Sequence, residues 1–497
     1  MVHLERNFKN VIQLAVAFNF ICFGLYGHQY IFKEAIITMW KEDGDTKSRD
    51  SASDVANTIY YVAYGFSSLI VPAIIGFVGA KVATLSGTTF IFLHIFTMIL
   101  FQPWLCFLTS GFQGLGFALL WGSQGKLLKM NSTTRTADKY TNTFFGIAYS
   151  STLFTAIFLM SIFFITGRSD GYSIKTLIIT YSIMSVSIVG GFITLFFMKM
   201  PSKNELTSST MTIEKGTIAT NTYIEILLNV FKVLFKRKII KFIIIFLHFG
   251  MSCAVWSSLI PNTISASEQF GKYRFYHMAG CCFIQGIAQL LGSFLLLFYG
   301  PKLKKLTRIR KAYLGGIFTF LAYLTIFLTI PPQANQGRTT GDAHIQINSP
   351  YFTYISSFFV GLGDIIYKIQ VTTHILDIYP DQSAEAFSLL FGFQGAGQAA
   401  TFALCIYLTL DFIMILLMIY LLISLGSFYY AERKLLLFYK IDDYTEPITK
   451  LVDNSALGRY MTEHPDGSIS KGIHKEKYIS SDLMPMANNN TLNEITE

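Results

Sequence analysis

Apolar runs of span length recur along this chain, each broken by a short polar turn. They lie near residues 11–32, 55–78, 83–101, 105–125, 142–166 and 174–198 and, after a polar interruption, near 240–262, 276–299, 312–331, 351–371, 384–407 and 411–430. A run of about 20 apolar residues crosses the roughly 30 Å hydrocarbon core of a bilayer as a helix. The period-two alternation of a membrane barrel is absent, and backbone groups in lipid must be satisfied within their own segment, so the runs are read as helices. The prediction is an all-α polytopic membrane protein with twelve transmembrane helices in two six-helix halves. The N-terminal half occupies 1–198, a cytoplasmic central loop 199–239, the C-terminal half 240–430, and a polar, disordered cytoplasmic tail 431–497. The tightest junction is "TLD" at 409–411, where two spans come closest to merging.

Composition points the same way. Hydrophobic residues make up 52% of the 497 positions and charged ones only 14%, against about a quarter charged in soluble proteins. Lysine and arginine are retained on the cytoplasmic side of short loops. With the N-terminus inside, most of the 39 Lys and Arg residues fall on that side, which makes both termini cytoplasmic. The densest patches are "PKLKKLTRIRK" (301–311) and "FKRKIIK" (235–241). The net charge of +9 therefore reflects topology and anionic headgroups; with no folded basic domain, nucleic acid is excluded as a partner. The sequons at Asn131 and Asn489 both fall on cytoplasmic segments and are expected to stay unmodified. Cys22, Cys106, Cys253, Cys281, Cys282 and Cys405 sit in or beside spans, so no disulfide framework is implied. "MVHLERNFKN" precedes an apolar run too long for a signal-peptide core, so the first span is expected to be retained.

The two halves carry matching landmarks, as transporter repeats often do. "FVGAK", ending at Lys81, is answered by "FYGPK", ending at Lys302; "GLGFALLWGSQG" (114–125) is answered by "GLGDIIYKIQ" (361–370); Phe145 and Gly146 are answered by Phe391 and Gly392. A parallel repeat is the simplest account. A chain of this plan resembles the major facilitator superfamily, with the loop ending at Lys81 looking like its signature loop without the usual aspartate and arginine. "LWGSQGKLLKMNS" (120–132), "GLGDIIYKIQ" (361–370) and "SAEAFSLLFGFQ" (383–394) resemble the uncoordinated-ninety-three family, the ion-channel regulatory branch of that superfamily. The resemblance implies a helical transporter-like fold whose relatives regulate channels or escort receptors. It is departed from at Lys368, where the family commonly has a neutral polar residue, and at Glu385, where it often has proline.

The candidate chemistry centres on Asp364 and Lys368. At i and i+4 they share a helical face and can neutralise each other. A lone charge at mid-bilayer costs at least about 2.5–3.5 kcal/mol on insertion scales, so such residues are paired, protonated or facing water. In the functional reading Asp364 binds a proton or cation in a central cavity beside Lys368. In the structural reading Lys368 snorkels to headgroups and Asp364 pairs with a helix terminus or another span. Gln124, with Trp121 and Gly125, is the counterpart in the first half, and its amide either lines a cavity or joins helices. Gln370, and the tetrapeptide "GFQG" at 111–114 and 392–395 that contains Gln394, admit the same two readings. Gln285 and Gln289, and Gln394 and Gln398, place amides one turn apart on spans eight and eleven, as a polar cavity wall would. Histidines 28, 94, 248 and 277 are expected to be hydrogen-bonded packing residues. No H-E-x-x-H, paired CxxC or Walker loop is present. No metal, cofactor or enzymatic activity is therefore expected.

Three polar segments complete the picture. "KEDGDTKSRDSASD" (41–54) is expected to be a solvated acidic external loop, although it could touch a partner. The central loop ends in "YIEILLNVFKVLFKRKIIK", an apolar and basic run suited to the inner membrane surface. "ERKLLL" at 432–437 matches an acidic dileucine sorting pattern, but abuts the membrane. Two functions remain: an orphan secondary carrier of a small solute or ion, with its site lined by spans one, four, seven and ten, or a non-transporting subunit of an ion channel or receptor. A carrier keeps Asp364 and Gln124 on one polar cavity; a regulator can fill that space with side chains.

Overall fold

Helix-ending residues divide the apolar runs where the chain must turn. Gly79, at φ 82°, takes a left-handed conformation that costs glycine nothing and lets two spans meet with a one-residue break. The structure, a computed structural model, describes residues 2–40, 46–132, 136–166, 171–200, 223–299, 307–345, 350–379 and 382–453. The helices are α1 (Val2–Met39), α2 (Thr46–Val78), α3 (Ala80–Thr97), α4 (Pro103–Asn131), α5 (Ala137–Thr166) and α6 (Ile174–Phe196), then the short α7 (Tyr223–Leu234). After it come α8 (Arg237–Ala254), α9 (Ile260–Ala266), α10 (Arg274–Tyr299), α11 (Arg308–Thr329), α12 (Tyr351–Ile378), α13 (Ser383–Tyr407) and α14 (Leu410–Asp453). Among the described residues there is no strand beyond one isolated bridge, Ser267 to Thr339. Met1–Arg433 forms one compact unit and Lys434–Glu497 a second.

Eleven segments of the described residues are long and apolar enough to cross a bilayer, which makes this a multi-pass integral membrane protein. The predicted spans 11–32 to 312–331, 384–407 and 411–430 each fall on one of them within a few residues. The "TLD" junction is a true break: Leu408, at φ −105° and ψ 148°, is extended between α13 and α14. The segment outside those eleven is α12, 28 residues long, which carries Asp364 and Lys368 where a span is otherwise most apolar.

The repeated glycines mark the closest helix crossings. Gly114 of α4 lies against the Tyr60 carbonyl of α2, and a Cβ on Gly116 would come 2.6 Å from the Gly87 carbonyl of α3. In the same register, a Cβ on Gly361 of α12 would come 2.7 Å from the Gln285 carbonyl of α10, and one on Gly363 would come 2.8 Å from the Gly315 carbonyl of α11. Small residues let helices in lipid approach to backbone contact, so each "GLG" seats its helix against two neighbours. The packing pattern repeats with them. Contacts α3–α4, α2–α4 and α1–α5 are answered by α11–α12, α10–α12 and α8–α13. Between the two sets, α2 packs on α13 and α5 on α10, with Gly395 2.7 Å from Gly65 on the first seam and Gly286 3.0 Å from Leu153 on the second, measured from the added Cβ.

Several expectations change at the ends of helices. The "solvated acidic loop" is helical from Thr46, because Ala52, Ser53 and Asp54 are all buried; residues 41–45 lie outside the described set. The predicted seventh span is interrupted by a π-turn, Val255–Leu259, ahead of α9. Pro261 supplies the cause, since its ring excludes the carbonyl four residues back from an ordinary helical bond. Helix α14 continues to Asp453, while 454–497 lie outside the described residues. The dileucine reading fails on its acidic member: Glu432 is buried, 3.2 Å from Arg308 and also paired with His374. α7 packs on α2 and α13 with Val230 and Val233 buried and Leu228 and Phe231 exposed, which suits a helix lying at an apolar–polar boundary.

Lys81 donates to the carbonyls of Phe196 (2.7 Å) and Met198 (2.8 Å), capping the end of α6; its counterpart Lys302 lies outside the described residues. Nearby, Asn131 is 2% exposed, accepts from Asn10 at 2.9 Å and donates to the Leu127 carbonyl at 2.8 Å. A glycosyltransferase cannot reach this amide. With Asn489→Gln as background, peptide-N-glycosidase treatment is expected to leave electrophoretic mobility unchanged; a downward shift would contradict this placement.

Candidate functional site

The middle of the molecule is a nest of tyrosines around one thiol and two charges. α1 contributes Tyr26, α2 Tyr61 and Tyr64, α5 Tyr149, α11 Tyr323, α12 Asp364 and Lys368, and α13 Gln394. The end of α8 and the π-turn contribute Cys253 and Trp256. Cys253 has Asp364, Lys368, Trp256 and Gln394 around it, the last at 3.6 Å from its sulfur. The rings of Tyr26 and Trp256 meet edge to face at 5.6 Å, while Tyr64 stands beside Cys253, Tyr61 and Tyr149. A π-turn displaces the side chains that follow it relative to an ordinary helix and is common at functional sites. Here it turns Trp256 toward Asp364.

Asp364 and Lys368 share this nest but are not an ion pair. The Lys368 ammonium donates instead to the Tyr149 hydroxyl of α5, and lies over two rings, Tyr149 at 4.8 Å and Phe249 at 5.0 Å. Lys368 therefore acts on Asp364 through space without a direct bond to it, and, held at Tyr149, it does not snorkel to headgroups. Cation–π attraction strengthens as a site is desolvated and adds to the Tyr149 bond in holding the ammonium there. Asp364 is 4% exposed, and its Oδ1 has no hydrogen-bond partner. The Trp256 Nε1 lies toward Asp364 and Cys253 and the Tyr323 hydroxyl toward Ser252, each buried and without a hydrogen bond of ordinary geometry, so Asp364 Oδ1 is the acceptor left open in this interior.

The other expected positions divide. Trp121 joins the nest, its ring stacked on Tyr149 at 6.4 Å and edge-on to Phe18 at 5.5 Å. Gln394 joins through Cys253. Gln124 and Gln370 are buried on α4 and α12, but neither hydrogen-bonds to a nest residue. Gln285, Gln289 and Gln398 are buried, each with one unpartnered amide atom. The tyrosines, Cys253 and Trp256 were not anticipated, although "YYVAY" at 60–64 was a visible signal: three phenols in an apolar run.

Two further polar groupings lie outside the nest. His28 and His94 face each other through Nε2 atoms 3.2 Å apart. Thr109 donates to the Leu105 carbonyl at 2.7 Å, so it accepts from His94 Nδ1 at 2.9 Å. His94 Nε2 must then accept from His28, whose Nδ1 accepts from the Tyr181 hydroxyl at 3.2 Å. Every donor has an acceptor, as the packing reading of these histidines expects. His277 similarly bonds Tyr354 at 2.8 Å, but His248 departs from that expectation: it is buried with neither ring nitrogen hydrogen-bonded and packs edge-on against Tyr367 at 5.8 Å. Among the described residues no group of three or more His, Cys, Asp or Glu side chains is placed to hold a metal.

The second grouping closes one end of the bundle. Lys33 of α1 lies 3.4 Å from Asp54 of α2 and donates to the Asn335 carbonyl in the segment after α11. Asn335 donates in turn to the Leu408 carbonyl at 2.8 Å, and Arg338 reaches Glu34 at 3.3 Å. The first and last thirds of the chain are thus latched together at this end.

A bundle of long apolar helices with repeated packing and a polar centre is the architecture of a multi-pass transporter fold. Solved structures agree: the chain superposes on peptide transporter POT in complex with sulfate with a TM-score of 0.60, at 15% identity, covering 86% of this chain and 95% of that one. Against a variant of the nucleoside transporter NupG the TM-score is 0.58, at 11% identity, covering 85% and 99%. The family model "Ion channel regulatory protein UNC-93" matches residues 49–429, and the chain belongs to the UNC-93 family. Among curated relatives, the UNC93-like protein MFSD11 of Xenopus laevis is 24% identical over 441 residues, spanning 86% of this chain and 96% of that protein. Its Xenopus tropicalis counterpart matches to the same extent.

Proposed function

We propose that the chain is a secondary carrier of a small solute or ion, built from twelve spans in two six-helix halves that alternate access around the central nest. In this reading α12 is the tenth span, both termini are cytoplasmic, the Lys33–Asp54–Asn335 latch closes the external side, and Lys81 lies on the inner side. The observation that carries it is the Lys368–Tyr149 bond. An embedded ammonium that passes over the nearby carboxylate to bond the opposite half makes the seam between the halves sensitive to whatever occupies the nest. Asp364, with a free oxygen, is the group positioned to take a proton or cation, so Asp364→Asn is expected to remove gradient coupling while leaving the protein in the membrane.

Spin-label distance measurements test the exchange itself. Leu100 and Gln336 are exposed positions near the latch, and Lys129 and Ala384 are exposed at the other end. Cysteine at each pair, with the buried native thiols unlabelled, is expected to give two distance populations at each end whose proportions change reciprocally. A single population at both ends, unmoved by Lys368→Gln, would exclude the carrier. The alternative is a non-transporting subunit of an ion channel or receptor, which the family's description favours. Under that reading the tightly packed nest rings are a rigid core, and channel or receptor contacts lie on lipid-facing spans.

A further inference from the structure

The nest holds a carboxylate and an ammonium of opposite sign, one helical turn apart on α12, that do not pair with each other. We infer that it is a receptor for a zwitterionic solute of the amino-acid class with an apolar side chain, its ammonium on Asp364 and its carboxylate on Lys368 and Tyr149. The inference rests on the carrier reading of this site and names what that site takes.

Side chains at i and i+4 stand close enough to meet, so their separation has a cause. Lys368 is drawn off by the Tyr149 hydroxyl and by two rings, and Asp364 Oδ1 is left buried with no partner. Both charges act on Cys253 and on Tyr149, so they bound one interior region and do not face away from each other. A solute bearing both charges in the opposite order satisfies both ends of this dipole. An amine alone leaves Lys368 unmatched, and a carboxylate alone leaves Asp364 unmatched, the kind of mismatch that gives polar sites their strongest discrimination. Surrounding polarity fits the same ligand. The Trp256 Nε1, toward Asp364 and Cys253, and the Tyr323 hydroxyl, toward Ser252, are buried donors without a well-formed hydrogen bond, and a bound carboxylate would offer them one. Tyr26, Tyr61 and Tyr64, now packed on Trp256, Phe402 and Phe117, are the aromatic neighbours that would repack around an apolar side chain. A divalent cation fits less well, since Asp364 is the one carboxylate of the nest and an ammonium shares the region.

The test is ligand-dependent thermal stability of the full chain in nanodiscs, titrated with four probes of one shape: L-phenylalanine, phenethylamine, 3-phenylpropionate and N-acetylphenylalanine amide. L-phenylalanine is expected to raise the melting temperature saturably, and the amine, the acid and the neutral amide to do so at least tenfold more weakly. L-leucine is expected to act like L-phenylalanine. In Lys368→Gln the zwitterion loses its advantage over the amine; in Asp364→Asn it loses its advantage over the acid. Tyr149→Phe, which keeps the ring, is expected to weaken the zwitterion and the acid but not the amine. The wild-type comparison decides the matter even if a variant fails to fold. No saturable shift with either amino acid, or an equal shift with a singly charged probe, overturns the inference. Distance populations that exchange in a protein that binds no zwitterion would keep the carrier and remove this ligand class. Zwitterion binding without exchange would do the reverse.

Discussion

Gly363→Leu is expected to abolish folded protein, and Gly426→Leu to leave it intact. A Cβ on Gly363 would overlap the Thr319 hydroxyl and lie 2.8 Å from the Gly315 carbonyl and 2.9 Å from the Thr319 amide. Two of those three atoms are backbone of α11, so no rotamer change relieves the clash; the helices must separate. Overpacking a well-filled site costs about 1–3 kcal/mol, occasionally more. Leucine here adds four carbons at a backbone contact that also positions Asp364 one residue on, so the high end of that range applies. Gly426, on α14, has nothing within 4 Å of an added Cβ. Size-exclusion profiles of detergent extracts read the result: loss of the monodisperse peak for Gly363→Leu, an unchanged peak for Gly426→Leu. Gly116→Leu should match Gly363→Leu, because Gly116 meets the Gly87 carbonyl in the same register. A folded Gly363→Leu protein would mean that the α11–α12 crossing is not set by this glycine.

Those glycines also mark where sequence reading carries furthest. Apolar run length locates spans because lipid allows one backbone solution, and the "GLG" pair exposes the repeat because close crossings tolerate almost no other residue. Helix ends were harder to read. The segment around Asp54 looked like a polar loop, since the partner that allows its burial, Lys33, is 21 positions away in sequence. The nest was half legible. Asp364 and Lys368 stood out as charges in an apolar run, but their i, i+4 spacing pointed to a mutual pair. It gave no hint of Tyr149, 219 positions earlier, whose pull on Lys368 depends on how α5 meets α12. Trp256 was invisible for a local reason: its orientation follows from the π-turn, Val255–Leu259, which Pro261 makes intelligible only once the helix is seen to continue through it.

Lys33→Met is expected to destabilise the protein by about 3–5 kcal/mol, the usual cost of removing one partner of a buried ion pair. The side chains of Lys33 and Asp54 are 4% and 6% exposed, so water cannot replace the lost ammonium. The substitution also strips a donor from the carbonyl of Asn335, whose own amide donates to the Leu408 and Cys405 carbonyls. Asp54→Leu should cost a comparable amount, because it leaves an ammonium buried with one neutral acceptor. The double variant separates pairing from packing. Replacing a whole buried pair with apolar groups is often neutral or stabilising, so Lys33→Met with Asp54→Leu should recover most of the loss. Additive losses would show that the two charges do not interact. The neighbouring Arg338–Glu34 contact predicts a smaller effect on its cationic side, since the Arg338 side chain is 45% exposed and exposed pairs contribute about 0–1 kcal/mol. Arg338→Gln is therefore the matched control. If this latch closes the external side of a carrier, the single variants should also raise the long-distance population of the Leu100–Gln336 label pair, and the double variant, with its apolar contact restored, should return it toward wild type.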